Sequence, residues 1–164
     1  MQVIKIPKLL QSLSALSLYK IGTHIDLDVD RQRIKVRHWS RRCLWYFQYK
    51  GDEQVQSELV NLEYGRAMSI VISTAGGKGE ERGEEIFQGV NFISRFLREL
   101  HIGRNNYRQP SFQPLTLLAR RTQEHLVEEG AIEEIEAQMK TYSHFQREAN
   151  EAKAATLNRF IHNN

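Results

Sequence analysis

The chain has 164 residues, of which 40% are hydrophobic and 26% charged, and its formal net charge is +3. These values exclude a disordered or fibrous chain, and the length suits one domain with a single hydrophobic core. The only cysteine, Cys43, excludes an intramolecular disulfide framework and favours a reducing setting, so we expect an intracellular protein of the cytoplasm or nucleus. The basic surplus lies at the front, where residues 1–66 hold 11 basic against 7 acidic side chains.

The first 22 residues begin with a weak alternation at 3–6 that predicts a short strand, and leucines at helical spacing then predict a helix between Pro7 and Gly22. Gln11 and several serines interrupt the leucines, and no cleavage site follows, so we interpret the segment as part of the mature protein. We expect this helix to pack in the core or to contact another protein, because its polar face carries too little charge for a membrane surface. No run approaches the roughly eighteen apolar residues of a membrane span.

The stretch HIDLDVDRQRIKVRHWSRR, residues 24–42, places alternating aspartates directly before alternating basic side chains. Apolar residues fill the positions between them, which is the pattern of two half-buried strands. A two-residue turn at Arg31 and Gln32 would form a hairpin with opposite charges facing each other, in the pairs Asp30 with Arg33, Asp28 with Lys35 and Asp26 with Arg37. Such pairs contribute roughly 0.2–1 kcal/mol each and set the register. Arg-Gln is not a favoured turn pair, so a longer loop with a bulge is an alternative.

Three further segments extend the predicted sheet. Residues 43–49, CLWYFQY, and 67–74, AMSIVIST, are rich in side chains that favour strands. Residues 53–64 fit a helix through one set of apolar positions and a strand through another, and we favour the strand. Residues 75–83, AGGKGEERG, are typical of a glycine-rich loop, and their spacing matches neither the phosphate-binding nor the dinucleotide-binding motif.

The apolar period then changes to that of a helix. It predicts a first helix over 84–101, a polar connector over 103–113, a second helix from Pro114 to near Gly130 and a third over about 131–160.

Strands followed by helices predict an α+β fold. An N-terminal antiparallel β-sheet of about four to five strands, with a short N-terminal helix, would precede three C-terminal helices. We expect a β-rich domain with its closing helix over 1–102, the connector over 103–113, and a helical tail over 114–164 packed on the same domain.

Basic residues with no acidic neighbour in sequence follow the hairpin, and aromatic residues lie between them. Guanidinium groups that bind phosphate, beside rings that stack on bases, are what a single-strand binding protein needs. We therefore predict a nucleic-acid-binding surface made of Arg37, Trp39, Arg41, Arg42, Tyr46 and Lys50. The alternative for the neighbouring aromatic residues is core packing, with Trp45, Phe47 and Cys43 on one buried face of a strand.

Nothing in the sequence indicates catalysis. The six histidines and Cys43 do not form a zinc spacing or an H-E-x-x-H motif, so we predict no metal site and no cofactor. No pair of carboxylates lies in the apolar context that produces a general acid. We expect a protein that is not an enzyme and acts by binding.

Two binding functions are compatible with these patterns. The first hypothesis is RNA or single-stranded DNA binding through the basic and aromatic surface. The alternative is a protein–protein assembly subunit, as a homo-oligomer or in a larger complex, that uses the N-terminal leucine helix and the C-terminal helices and has no nucleic-acid role. In the C-terminal helix, the heptad pattern holds for about two repeats and then decays. The residues predicted to contact another chain there are Phe145, Leu157, Phe160 and Ile161.

Overall fold

The computed structural model describes residues 8–19, 27–73, 83–131 and 133. Within these residues, 78% of the chain is helical and no sheet is present. Six helices follow one another in the order α1 (Leu9–Ser17), α2 (Leu27–Lys50), α3 (Glu53–Asn61), α4 (Tyr64–Ser73), α5 (Gly83–Ile102) and α6 (Thr116–Glu128). The β-structure of the described residues is one antiparallel bridge between Arg104 and Phe112.

The predicted α+β fold is wrong, and the described part of the predicted hairpin, from Leu27 onward, belongs to the 24-residue helix α2. The opposite charges still meet, but along the helix. Nη1 of Arg31 lies 3.5 Å from Oδ1 of Asp28, and Nη1 of Arg33 lies 3.4 Å from Oδ1 of Asp30. Residues three apart are neighbours on a helix surface, so the same charge pattern is compatible with a helix and with a hairpin. The pair Arg31-Gln32, a poor turn, is a good helix pair.

The other described strand segments are also helical. Residues 43–49 end α2, residues 53–64 form α3 and the start of α4, and residues 67–73 continue α4. Asp52 caps α3 by accepting a hydrogen bond from the Val55 amide at 3.2 Å. Packing of the buried faces of these helices in the core outweighs the strand preference of their β-branched and aromatic residues, because that preference is weak. The strand predicted at 3–6 lies outside the described residues.

Three predicted helices are confirmed. The leucine helix is α1, the helix predicted at 84–101 is α5, and the helix predicted from Pro114 to near Gly130 is α6. The connector at 103–113 links α5 to α6 and contains the Arg104–Phe112 bridge. Nearly all of the third helix, predicted at 131–160, lies outside the described residues.

The hydrophobic core lies between these helices. Tyr64 of α4 is fully buried, and its ring meets Phe96 of α5 edge-on, with 4.8 Å between the ring centres. Leucines of α1 pack against the same cluster, which explains their helical spacing. The largest fully buried apolar side chains are Tyr64, Phe96, Leu44, Leu59, Met68, Ile93, Leu97, Leu100 and Leu126.

A buried guanidinium closes the C-terminal end of α2. The side chain of Arg104 is 1% exposed, and its Nη1 lies 3.1 Å from the Glu99 carboxylate. It also donates to the carbonyls of residues near the end of α2, namely Gln48 and Tyr49 at 3.2 Å each and Gly51. The last carbonyls of a helix have no partner within the helix, and here Arg104 shares the task of pairing them with the side-chain amides of Gln56 and Gln109. Burial lowers the pKa of Arg104, and Glu99 opposes this shift.

The Glu99 carboxylate accepts hydrogen bonds from three side chains. Gln48 donates to its carboxylate at 2.8 Å and Arg95 at 2.9 Å, in addition to Arg104. Gln109 of the connector donates to the Tyr49 carbonyl. The end of α2, the last turns of α5 and the connector are therefore joined by one network of charge-assisted hydrogen bonds.

We expect Arg104→Ala to lower the free energy of unfolding by about 3–5 kcal/mol, because it removes a buried cationic partner of Glu99 together with its hydrogen bonds to the Gln48, Tyr49 and Gly51 carbonyls. Urea denaturation measures the change. Arg120→Ala is the matched control, since Arg120 forms an exposed pair with Glu124 at 3.2 Å and should contribute less than about 0.5 kcal/mol. Equal effects of the two variants would contradict the role given to Arg104.

Tyr64 predicts a pH dependence. Its hydroxyl has no hydrogen-bond partner among the described residues, and burial raises its pKa far above the ordinary value of 10.0. Above pH 10 the unfolded chain loses this proton and the folded chain keeps it, so stability falls as the pH rises. Tyr64→Phe lacks this loss. We expect the free energy of unfolding of the variant, relative to that of the parent, to rise by about 1.4 kcal/mol between about pH 8 and pH 11. Urea denaturation at each pH measures this difference. A difference that does not change with pH would contradict the assignment.

Candidate functional site

Helix α2 has an unusual division between its two sides. Its buried residues include Asp30, Arg37, Ser40, Arg41, Leu44, Phe47 and Gln48. Large apolar side chains are exposed on the opposite side, with Trp39 at 60% and Tyr46 at 49%. Steps of three and four residues bring one set of side chains together, which we call the outward face: Lys35, Val36, Trp39, Arg42, Cys43, Tyr46 and Lys50.

The outward face unites four of the six predicted nucleic-acid-binding residues, Trp39, Arg42, Tyr46 and Lys50. Arg37 and Arg41, at 5% exposure each, lie on the buried side. At 3.6 residues per turn, both arginines stand roughly 160° around the axis from Trp39. A strand would have placed all three on one side, because its period is two.

Trp39 is held in an exposed position. The His38 ring meets its edge with 5.3 Å between ring centres, and the Arg42 guanidinium lies 5.9 Å from the centre of the Trp39 ring. Arg42 also donates to the Gln88 side chain of α5 at 3.3 Å. Because Arg42 is tied to a neighbouring helix, the pair of indole and guanidinium is organised before any ligand arrives.

A second aromatic and basic group lies at the C-terminal end of the face. The Lys50 ammonium is 5.0 Å from the centre of the Tyr49 ring, and the Arg95 guanidinium of α5 is 4.6 Å from it. Trp45, in contrast, stacks on Phe92 with 5.0 Å between ring centres. Phe47 is 5% exposed, so its predicted burial is confirmed, although it is buried from a helix and not from a strand. Cys43 is exposed, so its predicted burial is wrong.

The charge of the outward face is positive. The sequence has no aspartate or glutamate between Arg31 and Gly51. The Arg42 guanidinium contacts the Gln88 amide and the Trp39 ring, and the Lys50 ammonium contacts the Tyr49 ring, so these contacts leave both positive charges without compensation by a carboxylate. A surface of this sign attracts anionic partners at long range.

Sequence reasoning missed three residues that this geometry adds. Lys35, assigned to the charge pairs of a hairpin, is exposed on the outward face beside Trp39. Tyr107 and Arg108, in the segment interpreted only as a polar connector, form an exposed ring and guanidinium pair 5.0 Å apart. The available signal was the lack of acidic residues from Leu100 to Gln123.

The described residues include little of the predicted protein interface. Phe145, Leu157, Phe160 and Ile161 lie outside them. On α1, Leu9, Leu10 and Leu13 pack in the core, while Leu16 is 43% exposed. Leu16 borders an open groove of about 300 Å³ between α1 and α2, which is also lined by Tyr19, Val29, Gln32, Arg33, Val36 and Arg37.

Comparison with known proteins does not indicate a function. No protein-family model, curated protein sequence or solved structure matches the chain. Among the described residues, no cluster of three or more His, Cys, Asp and Glu side chains could hold a metal ion. None of the helices described above combines the length and apolar character that a membrane crossing requires. The function must therefore be argued from the outward face itself.

The geometry predicts different solvent access for the two tryptophans of the chain. We expect acrylamide to quench the fluorescence of Trp45→Phe, in which only Trp39 emits, several times more strongly than that of Trp39→Phe. The reason is that Trp39 is 60% exposed and Trp45 is stacked on Phe92. Equal quenching constants, or the reverse order, would show that Trp39 is covered and that the outward face is not available.

Proposed function

We propose that this protein is a non-enzymatic binding protein that holds RNA or single-stranded DNA on the outward face of α2. The observation that carries the proposal is the exposed Trp39 ring with the Arg42 guanidinium beside it, 5.9 Å from the ring centre, on a helix whose sequence has no acidic residue from Arg31 to its end. Stacking of a base on an aromatic side chain contributes about 1–3 kcal/mol, and the contact tolerates any base.

Three cations of the face could contact phosphates along a strand. Lys35, Arg42 and Lys50 are distributed over sixteen residues of α2, and the fifteen steps from the first to the last correspond to about 22 Å of helix. For a single strand, three phosphate contacts correspond to a slope of about −2 in a plot of log affinity against log salt. Arg37 and Arg41 are left out of this contact set, because their side chains are buried.

A single strand suits this face better than a duplex does. In a duplex the bases are stacked on each other and offer only their edges, whereas Trp39 and Tyr46 offer ring surfaces. The face also carries few side chains with the paired donors and acceptors that read base edges, such as Asn and Gln. We therefore expect binding with little sequence preference.

The first test measures affinity for labelled single-stranded oligonucleotides, both RNA and DNA, at several salt concentrations. We expect Trp39→Ala to weaken binding by about 1–3 kcal/mol and Trp39→Phe to retain most of it, because a phenyl ring still stacks. Leu117→Ala is the matched control: Leu117 is an exposed apolar residue of α6, at 81% exposure, and lies outside the face.

Charge is tested separately with Arg42→Gln and Lys50→Gln. Each should weaken binding and reduce the size of the salt slope by about 0.7. Arg120→Gln removes the same charge from an exposed ion pair on α6 and should leave the slope unchanged.

Light scattering on the same samples tests the assembly alternative. An oligomer that ignores oligonucleotides at every salt concentration would refute the proposal and favour a protein–protein subunit.

A further inference from the structure

We propose that the connector carries a second stacking contact for the same strand, formed by Tyr107 with Arg108, beyond the C-terminal end of α2. This inference rests on the proposed function, which it extends from one helix face to a second element. It also gives the site a length, because a strand must reach from Trp39 to Tyr107 to use both contacts.

Tyr107 has the exposure of a ligand-binding ring. It is 88% exposed, more than any other large hydrophobic side chain among the described residues. The Arg108 guanidinium lies 5.0 Å from the centre of its ring, close to the 5.9 Å that separates Arg42 from the Trp39 ring. Two elements thus present the same combination of an open aromatic surface and an adjacent guanidinium.

Hydrogen bonds hold the connector in the shape that exposes this ring. Its ends are joined by Arg104 and Phe112, whose amides and carbonyls pair at 2.9 and 3.0 Å. Asn106 donates to the Gln109 side chain at 2.6 Å and accepts from the Arg108 amide at 3.0 Å. The position of Tyr107 is therefore set before binding, which lowers the entropy cost of using it as a contact.

Gly103 shows how closely the connector is packed at its start. Its φ of +75° is in the left-handed region, and an added Cβ would lie 2.6 Å from the Phe112 carbonyl oxygen. The connector can fold back on α5 only with glycine at this position.

The connector lies against the end of the outward face. Gln109 donates to the Tyr49 carbonyl, and Arg95 donates to Gln109 at 3.4 Å while covering the Tyr49 ring. Lys50, the last residue of α2, lies next to this contact. Because Tyr107 is two residues from Gln109, its backbone lies within about 7 Å of that of Gln109, and so near the C-terminal end of α2.

Charge along α2 from Arg31 onward and along the connector is uniform. The sequence from Leu100 to Gln123 has four arginines and no acidic residue, as the segment from Arg31 to Gly51 also lacks acidic residues. A polyanion can therefore follow α2 into the connector without meeting an exposed carboxylate from either segment.

The distance between the two contacts sets a length requirement. Lys50 lies eleven residues beyond Trp39, or about 16 Å along the axis of α2. At the stacked spacing of about 3.4 Å per nucleotide, this distance corresponds to roughly five nucleotides. A stacked strand of about three nucleotides therefore falls short of this distance, and one of ten or more exceeds it.

The experiment compares Tyr107→Ala with the parent protein on oligothymidylates of roughly 3 to 15 nucleotides, by fluorescence anisotropy. We expect Tyr107→Ala to weaken binding of the longest strands on the order of tenfold and to leave the shortest strands nearly unaffected. Tyr107→Phe keeps the ring and should bind as the parent does. Ser111→Ala, an exposed change in the same connector, is the control for disturbance of the segment.

Each outcome separates this inference from the function on which it rests. If Trp39→Ala weakens binding and Tyr107→Ala binds like the parent at every length, the connector contact is refuted and the α2 site stands. If Tyr107→Ala weakens all lengths equally, the connector is not a second contact and the inference is also refuted. If the parent protein binds no oligothymidylate of any length and no RNA oligonucleotide, the proposed function itself fails. Thermal unfolding of each variant verifies that it is folded.

Discussion

The buried ion pair of Arg104 with Glu99 is the interaction on which the proposed surface depends. It joins the C-terminal carbonyls of α2 to α5 and to the connector, and so anchors the end of α2 against both. Burial of Leu44 and Phe47 in the core turns the opposite side of α2 to solvent. A buried charge needs a partner with good geometry, and here three donors surround one carboxylate. The same network positions the connector beside Lys50, so one set of hydrogen bonds aligns both parts of the proposed surface.

Helix α2 departs from the ordinary amphipathic arrangement, with charged residues on its buried side and aromatic residues exposed. Burial of an aromatic ring is favourable and burial of a guanidinium is costly, so hydrophobic burial by itself would favour the reverse arrangement. The proposed function rests on the exposed rings for this reason. The connector repeats the combination in a non-helical segment, with an exposed tyrosine beside an arginine. Surfaces that bind single strands use such rings together with nearby cations.

The success of sequence reasoning differed between the two halves of the chain for a physical reason. In α5, apolar residues recur at three- and four-residue steps, and no alternating pattern competes with them, so the helix could be predicted. In residues 26–37 the charges satisfy both periods, because Asp28 can meet Lys35 across a hairpin or Arg31 along a helix. The aromatic run at 43–49 then favoured a strand by propensity, and tertiary packing of Leu44 and Phe47 decided for a helix.

The sequence by itself determined the positive charge, the absence of acidic residues around Trp39, the position of the later helices and the presence of Trp39, Arg42, Tyr46 and Lys50 in one segment. Only the tertiary structure decided that Arg37 and Arg41 are buried, that Lys35 joins the surface, and that the connector with Tyr107 contacts the end of α2. Which residues share a surface depends on the backbone period and on contacts between distant segments. Arg104 and Gln48, 56 residues apart, make such a contact, and no local pattern encodes it.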